Sequence, residues 1–267
     1  GDRAVAEGDG TAARRFFQNA LEVRQRLAEA DPGNAQAQRD LSISFERLGD
    51  RAVAEGDGTA ARRFFQQGLA IRERLVTLDP GNMAWRAELA FIANRLGHVL
   101  ETQGDDGAAL AAYQRALAAV PDRLYALDHA ASVAHRLNRN ADAIAFSERR
   151  VAALRTAKAP PADIADALGS LSWYALFAGD PAKAKAAAEE AYELSPSTLW
   201  VLTNAAHADM FLGRAEASLA LHRRHRTDKT GGTARWADSV RDDFAHFRKA
   251  GMDHPLMTTI ERVLTEP

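Results

Sequence analysis

The sequence predicts an all-α protein built from a series of antiparallel helix pairs. The first observation is a duplication: the phrase GDRAVAEGDGTAARRFFQ occupies residues 1–18 and returns unchanged at residues 49–66. The second is that apolar residues recur at steps of three, four and seven between short turns, which is typical of amphipathic helices. A period of this length indicates stacked helical repeats, each too small to bury its apolar face alone.

The composition limits the possible functions. The chain has 267 residues, 46% of them hydrophobic and 7% aromatic, with a net charge of −2. This balance gives no reason to expect nucleic-acid or membrane partners. The absence of cysteine excludes disulfides and thiolate chemistry. No signal peptide or bilayer-spanning run is found, so a cytoplasmic location is expected, and Gly1 lies inside a repeat, so a natural N-terminus is expected upstream.

Two short turns divide the first predicted helices. The turn DPGN at residues 31–34 separates the first two predicted helices, and a Gly-Asp-Gly turn at residues 56–58 follows the second.

Three sets of equivalent positions, or columns, recur in successive helix pairs. A small residue late in the first helix of each pair serves as its anchor: Gly1, Gly49, Gly97, Ala131, Ser172 and Ala206. Seven residues after each anchor comes a turn residue: Gly8, Gly56, Gly104, Asn138, Gly179 and Gly213. Twelve residues after it comes a second small residue: Ala13, Ala61, Ala109, Ala143, Ala184 and Ser218.

The distances between the anchors follow a rule. They are 48, 48, 34, 41 and 34 residues, that is, 34 plus zero, one or two sevens. Seven residues are nearly two helical turns, so each insertion lengthens a helix and keeps its buried stripe in almost the same direction. The spacing therefore favours one repeat architecture over an unrelated helical bundle.

These columns resemble the tetratricopeptide repeat, a 34-residue helix–turn–helix unit. One segment, Ala90 to Arg123, matches through Leu96, Gly97, Gly104, Ala109, Tyr113, Ala116 and Pro121. A second, Ala165 to Thr198, matches through Leu171, Gly179, Ala184, Ala191 and Pro196. The resemblance covers residues 1–228 and implies a right-handed α-solenoid whose first helices line a concave, peptide-binding groove.

The end of the chain departs from the repeat. His222 and His225 replace the bulky and small residues of the last unit, which predicts a polar outer face at the end of the stack or a docking face. A loop is expected at residues 227–232, followed by helices at 233–250 and near 256–264. We interpret residues 229–267 as capping helices that cover the last repeat; a link to a further domain is the alternative.

The resemblance also selects the residues of the predicted groove. Aromatic side chains mixed with hydrogen-bonding groups are typical of a binding surface. The predicted groove residues are Phe91, Asn94, Arg95, His98, Tyr125, Asp128, His129, Ser132, His135, Trp173, Trp200, Asn204 and His207. The alternative for Trp173 and Trp200 is that neighbouring helices cover them. The Lys/Asn carboxylate clamp known in the family is not matched, because these columns contain no lysine.

Candidate chemistry elsewhere is sparse. No phosphate-binding loop, HExxH or GxSxG motif is present. His222 and His225 could share a metal, as could Asp242 and His246, but packing and a solvated helix face are the favoured interpretations. The repeated arginine pairs at 14–15 and 62–63 could bind an acidic partner. No cofactor or metal and no catalytic residue are expected.

The predicted function is a non-catalytic scaffold or sensor that binds a protein or peptide. Similar bacterial arrays accompany effectors such as a caspase-like protease, a kinase or a STAND-type ATPase, so the resemblance implies a part of a larger protein. Self-assembly of the near-identical units is one alternative, a metal-dependent enzyme a second, and RNA binding a third that the pI of about 6.5 disfavours.

Overall fold

The computed structural model describes residues 10–231 and 233–265, and this part of the chain is almost entirely helical. The first six helices are α1 (Gly10–Ala30), α2 (Ala35–Ala54), α3 (Gly58–Leu78), α4 (Met83–Thr102), α5 (Asp106–Ala119) and α6 (Leu124–Arg136). Five follow: α7 (Asn140–Thr156), α8 (Pro161–Phe177), α9 (Pro181–Leu194), α10 (Val201–Phe211) and α11 (Ala215–His225). Two short strands, β1 (Lys229–Gly231) and β2 (Ala234–Arg235), then precede α12 (Trp236–Lys249) and α13 (Leu256–Val263).

The turn motifs begin the helices that follow them. In DPGN the side chain of Asn34 accepts a hydrogen bond from the amide of Ala37, and in GDG the side chain of Asp57 accepts one from the amide of Ala60. Such caps satisfy amides that have no partner within their helix, which typically contributes about 1 kcal/mol. The predicted turns are confirmed at both places, with the additional role of N-caps.

The repeat columns are confirmed where the structure describes them. The second small column is fully buried at Ala61, Ala109, Ala143, Ala184 and Ser218. The turn column has positive φ at Gly56, Gly104, Asn138, Gly179 and Gly213. This left-handed conformation ends helices and is best tolerated by glycine and asparagine. Gly1 and Gly8 lie outside the described residues, as do the side chains of Ala13, Arg14 and Phe17.

Two anchor glycines are required by aromatic rings. A Cβ atom on Gly49 would lie 2.5 Å from the ring of Phe65, and one on Gly97 would lie 2.6 Å from the ring of Tyr113. Both rings are fully buried. Each ring lies sixteen residues after its glycine, so the pair of helices can approach closely only when the anchor has no side chain.

Replacing Gly97 by alanine is therefore expected to lower the free energy of unfolding by about 1–3 kcal/mol, because the ring of Tyr113 has to move. Gly107→Ala is the matched control, since a Cβ atom at Gly107 meets nothing within 4 Å. That change is expected to leave stability unchanged or raise it by up to about 1 kcal/mol, because alanine is the better helix former. Chemical unfolding of both variants measures the difference, and equal effects would contradict the packing role of Gly97.

The chain forms two compact units, residues 1–133 and 134–267. In the first unit, α1, α2 and α3 share a core of Ala28, Leu41, Phe45, Ile71 and Leu75. In the second unit, a core extends from α8 to α13 and includes Trp236, Phe244 and Phe247, which are fully buried. The predicted boundary at residues 228/229 thus falls within the second unit.

The C-terminal segment contains both predicted helices. The helix expected at 233–250 is α12, and the last apolar helix is α13. The expected loop at 227–232 is partly wrong, because β1 lies there and pairs with β2 in an antiparallel two-stranded sheet. Both helices contribute to the core of the second unit, with Val240 and Phe244 from α12 and Met257 and Ile260 from α13.

Candidate functional site

Five of the predicted groove residues meet at one cavity in the first unit. Phe91, Asn94, Arg95 and His98 are spaced by three, one and three residues, which places them on one face of α4. They line a cavity of about 280 Å³ together with Tyr125, at the start of α6, and Arg123, which directly precedes that helix. We refer to this space, lined by these six residues, as the Asn94 cavity.

The carboxamide of Asn94 is buried without a partner. The residue is only 5% exposed, and neither its Nδ2 nor its Oδ1 atom forms a hydrogen bond among the described residues. A buried polar group left in this state typically costs about 1–3 kcal/mol. Native proteins contain few such groups, and each one calls for a specific explanation. In this fold the group lies in the wall of a cavity, so a ligand could supply its partners.

Two aromatic side chains border the same cavity and remain accessible. Phe91 is 40% exposed and Tyr125 is 43% exposed. The cavity therefore combines apolar walls with a few polar groups, the usual composition of a small binding site.

Arg123 is the lining residue that the sequence prediction missed. Its Nε atom is buried and has no hydrogen-bond partner among the described residues. Its guanidinium lies 6.0 Å from the centre of the Phe91 ring, within the range of a cation–π contact. The residue stands in the turn before α6, outside the helical columns that defined the predicted groove. The one sequence signal that could have identified Arg123 is its position directly after Pro121-Asp122, which closes the repeat.

Arg95, by contrast, is held by a carboxylate. Its Nε atom donates to Oδ1 of Asp50 on α2 over 2.9 Å, and its guanidinium lies 5.7 Å from the ring of Phe65. Asp50 therefore compensates the charge of Arg95. Of the two arginines in the cavity wall, only Arg123 lacks an acidic partner in the described part of the chain.

A hydrogen-bonded network of Glu101, Tyr113 and His129 lies next to Tyr125. Oε2 of Glu101 accepts a hydrogen bond from the hydroxyl of Tyr113 over 2.8 Å and lies 2.8 Å from Nδ1 of His129. The ring of His129 lies 4.2 Å from that of Tyr125, centre to centre. Burial raises the pKa of Tyr113 above its ordinary range, with a further contribution from Glu101, and the same two causes raise that of Tyr125. Both phenols therefore stay protonated at neutral pH.

Asp128 and Ser132 do not line the Asn94 cavity. Both are half-buried on α6, on the same helix as Tyr125 and His129. The structure thus brings together five of the eight groove residues predicted in the first unit, adds His129 as a support, and leaves these two outside the cavity lining.

A second cavity of about 470 Å³ adjoins the first. Its lining includes Phe91 and Arg123, so the two cavities share these side chains. The charged groups of the second cavity are largely paired with one another. Arg72, although 3% exposed, donates to Glu46 Oε2 over 2.6 Å and to the carbonyl oxygen of Glu88 over 2.7 Å. The Glu88 carboxylate in turn binds Arg39.

The predicted groove residues of the second unit do not form an open surface. His207 is fully buried, and its Nε2 atom lies 3.0 Å from Oδ2 of Asp243 on α12. Trp173 packs against Phe247 of the same helix, with ring centres 5.4 Å apart. Helix α12 thus lies against Trp173 of α8 and His207 of α10, which were expected to face a ligand. For Trp173 this contact agrees with the alternative that a neighbouring helix covers it.

Trp200, Asn204 and His135 also have structural partners. A Cβ atom on Gly169 would lie 2.3 Å from the ring of Trp200, so this indole covers α8 at the glycine. Asn204 is 2% exposed and donates to the carbonyl oxygen of Gly169 over 3.3 Å. Nδ1 of His135 lies 2.8 Å from the side-chain oxygen of Asn140. These contacts indicate that the three residues have packing roles within the second unit.

His222 and His225 do not form the predicted polar outer face. Both are buried, and Trp236 from α12 covers them. Nε1 of Trp236 donates to Nδ1 of His222 over 3.1 Å, which leaves the His222 proton on Nε2, an atom without a hydrogen-bond partner among the described residues. Burial, followed by the neighbouring His207, holds the pKa of His222 well below its ordinary value. The prediction was wrong because Trp236 of α12 packs over this end of α11.

The candidate metal ligands have other contacts in the structure. The described residues bring together no group of three or more histidines, aspartates or glutamates able to hold a metal ion. Nδ1 of His246 instead lies 2.8 Å from the backbone oxygen of Asp242.

Two other features of the sequence are also resolved by the structure. Arg62, from the second arginine pair, binds Asp105 over 3.2 Å. No helix of the described segments is both long and apolar enough to cross a lipid bilayer.

Comparison with known families identifies the repeats. Residues 92–122 and 165–198 match the tetratricopeptide repeat, at the two segments that the sequence columns indicated. These two segments therefore carry tetratricopeptide repeats, and the prediction of an all-α fold of this type is confirmed. Such repeats support a general role as a protein-interaction scaffold. No protein of the curated set matches the sequence.

Solved structures share the fold at low sequence identity. BtubC (BKLC) from P. vanneervenii is 17% identical, with a TM-score of 0.54 over 80% of this chain and 89% of its own. MamA from Desulfovibrio magneticus RS-1 is 15% identical, with a TM-score of 0.52 over 68% of this chain and 92% of its own. YrrB, described as a TPR protein with an unusual peptide-binding site, is 15% identical, with a TM-score of 0.52 over 91% of this chain and all of its own.

Proposed function

We propose that this chain is a non-catalytic protein-interaction module that binds an extended peptide segment of its partner at the Asn94 cavity. The observation that carries the proposal is the buried, unpartnered carboxamide of Asn94. Each residue of an extended peptide presents one N–H and one C=O group, and the carboxamide offers the complementary acceptor and donor. A bound peptide would thus remove a cost that the free protein bears.

The surroundings of Asn94 favour a peptide over a small polar solute. Phe91 and Tyr125 provide apolar walls for a side chain next to the bound peptide group. The adjoining second cavity extends the surface beyond Phe91 and Arg123. Together they provide room for several consecutive residues of an extended chain, which rises by about 3.3 Å per residue. YrrB, which shares the fold, is described as having a peptide-binding site, and this is compatible with the proposal.

Three finer expectations from the sequence stay predictions. The partner could belong to an effector such as a caspase-like protease or a STAND-type ATPase, which the resemblance alone implies. Self-association is the second candidate, and one observation favours it: Val23 and Leu27 of α1 are exposed, whereas Ile71 and Leu75, 48 residues later, are buried. The division into a repeat array, 1–228, and a cap, 229–267, is the third.

A pool of degenerate nine-residue peptides, acetylated and amidated at their ends, tests the proposal on the immobilised full chain. We expect the wild-type chain to retain a subset of peptides and Phe91→Ala/Tyr125→Ala to retain at least about tenfold less, because both walls are lost. Leu78→Ala/Met83→Ala is the matched control, since it also removes two exposed apolar side chains of the first unit. Absence of retention by the wild-type chain, or equal retention by both double variants, would contradict the proposal.

A further inference from the structure

We propose that the peptide bound at the Asn94 cavity carries an acidic side chain, which pairs with Arg123 beside the peptide group that Asn94 binds. The inference rests on the proposed function and specifies the chemistry of its ligand. Two side chains with unsatisfied, buried polar atoms line this one cavity, Asn94 and Arg123. One is neutral and matches a peptide group; the other is a cation and matches an anion.

The charges around the cavity single out Arg123. The nearby arginines are paired: Arg39 with Glu88, Arg72 with Glu46 and Arg95 with Asp50. Arg123 has no carboxylate partner among the described residues, and its Nε–H is buried. A guanidinium can offer two parallel N–H groups to a carboxylate, which makes a stronger and more directional contact than a neutral acceptor allows.

Four of the carboxylates on the surrounding helices already have partners. Glu46, Glu88 and Asp50 are each bound to an arginine. Glu101 is bonded to the hydroxyl of Tyr113 and the ring of His129. The contact of Arg123 with the Phe91 ring also limits the positions that its guanidinium can take. These four carboxylates are therefore not available to pair with Arg123.

The position of Arg123 favours an internal side chain over a chain terminus. Arg123 and Phe91 belong to the linings of both cavities, so a ligand that fills both passes Arg123 and continues on either side. A sphere of 280 Å³ is about 8 Å across, or about two Cα–Cα steps of 3.8 Å. The acidic residue is therefore expected within two residues of the peptide group bound by Asn94.

Three peptide pools test this inference with the full chain. The first has a fixed central Asp and blocked ends, the second a central Asn and blocked ends, and the third a central Asn and a free C-terminal carboxylate. We expect the wild-type chain to retain the Asp pool about tenfold better than either other pool, equivalent to about 1.4 kcal/mol. Arg123→Gln is expected to remove the preference while retaining weak binding of all three.

Arg115→Gln is the matched control, because it removes one positive charge from an exposed arginine of the first unit outside both cavities. It should keep the preference for Asp. Arg123→Lys keeps the positive charge but lacks the planar guanidinium group. This variant should keep only part of the preference for Asp. Circular dichroism of each variant verifies that the helices are intact.

The outcomes separate the two proposals. Retention of all pools without a preference for Asp would overturn the role of Arg123 and leave the peptide site standing. A preference for the pool with the free terminus would assign the carboxylate to a chain end and overturn the internal acidic residue. A preference for Asp that persists in Arg123→Gln would place the recognition of the charge elsewhere. Failure to retain any peptide would overturn the proposed function itself.

Discussion

Replacing Asn94 by leucine is expected to stabilise the first unit by about 1 kcal/mol and to weaken peptide binding at least about tenfold. Leucine has the same number of side-chain heavy atoms in the same branched arrangement, so it fills the space of the carboxamide. It removes two buried polar atoms that lack partners. The gain in stability and the loss of binding both follow from removal of the carboxamide.

This opposite pair of effects distinguishes a binding residue from a structural one. A buried asparagine that supports the fold loses stability when it is replaced, whereas a residue kept for its ligand imposes a cost on the free protein. The increase in stability is measured by native-state hydrogen exchange of α4, which reports on the first unit separately. Binding is measured with the peptides that the wild-type chain retains.

Asn204→Leu is the matched control. Asn204 is also buried, but its Nδ2 atom donates to the carbonyl oxygen of Gly169. Its replacement should lower the protection of α10 by about 0.5–1.5 kcal/mol, because the hydrogen bond between α10 and the Gly169 carbonyl of α8 is lost, and should leave peptide binding unchanged. A destabilising Asn94→Leu substitution with normal binding would refute the assignment of Asn94.

The second unit is expected to lose stability as the pH falls below about 6.5, the ordinary value for histidine. His222 is fully buried, and its Nδ1 atom accepts the hydrogen bond of Trp236. A proton added at Nδ1 would break that bond and place a charge in an apolar core, next to His207. The pKa of His222 in the folded protein is therefore well below 6.5.

The sign follows from the linkage between protonation and folding. Below pH 6.5 the unfolded chain binds a proton at His222 that the folded chain does not bind, so acid favours unfolding. Stability is fully present above pH 6.5 and falls by up to about 1.4 kcal/mol per pH unit, until the pH reaches the lower folded value. Burial lowers the pKa of His135 as well, which adds a contribution of the same sign.

His222→Asn tests this dependence, because asparagine keeps an acceptor near the position of Nδ1 and cannot be protonated. The variant should be less stable than the wild-type chain at pH 7, yet lose less stability between pH 7 and 5. His246→Asn is the control, since His246 is exposed on α12. The measurement is hydrogen exchange of α10 and α12 across this range. An unchanged slope in His222→Asn would show that other groups cause the acid sensitivity.

The repeat architecture could be predicted from the sequence because the recurring residues are determined by local packing. A glycine such as Gly97 must face a ring such as Tyr113, and Gly104 must adopt a positive φ. These requirements recur in each unit at a fixed spacing, so they are visible without a structure. The groove face of α4 was selected by the family resemblance, and Phe91, Asn94 and His98 of that face line one cavity.

The errors arose where contacts depend on elements distant in sequence. Trp173 and His207 occupy groove columns, but α12, which follows no repeat rule, covers them. Trp236 covers His222 for the same reason. Arg123 was missed because it stands in a turn, where helical periodicity gives no direction for a side chain. The unpaired state of Asn94 is likewise a property of its neighbours, which the sequence does not reveal.

The most direct test of the central claim is a crystal structure of the full chain with a peptide from the pool that it retains. We expect Oδ1 and Nδ2 of Asn94 to lie about 2.7–3.2 Å from the N–H nitrogen and C=O oxygen of the peptide main chain. The peptide should pass between Phe91 and Tyr125. A peptide bound elsewhere on the chain, with the carboxamide of Asn94 still unpartnered, would contradict the account.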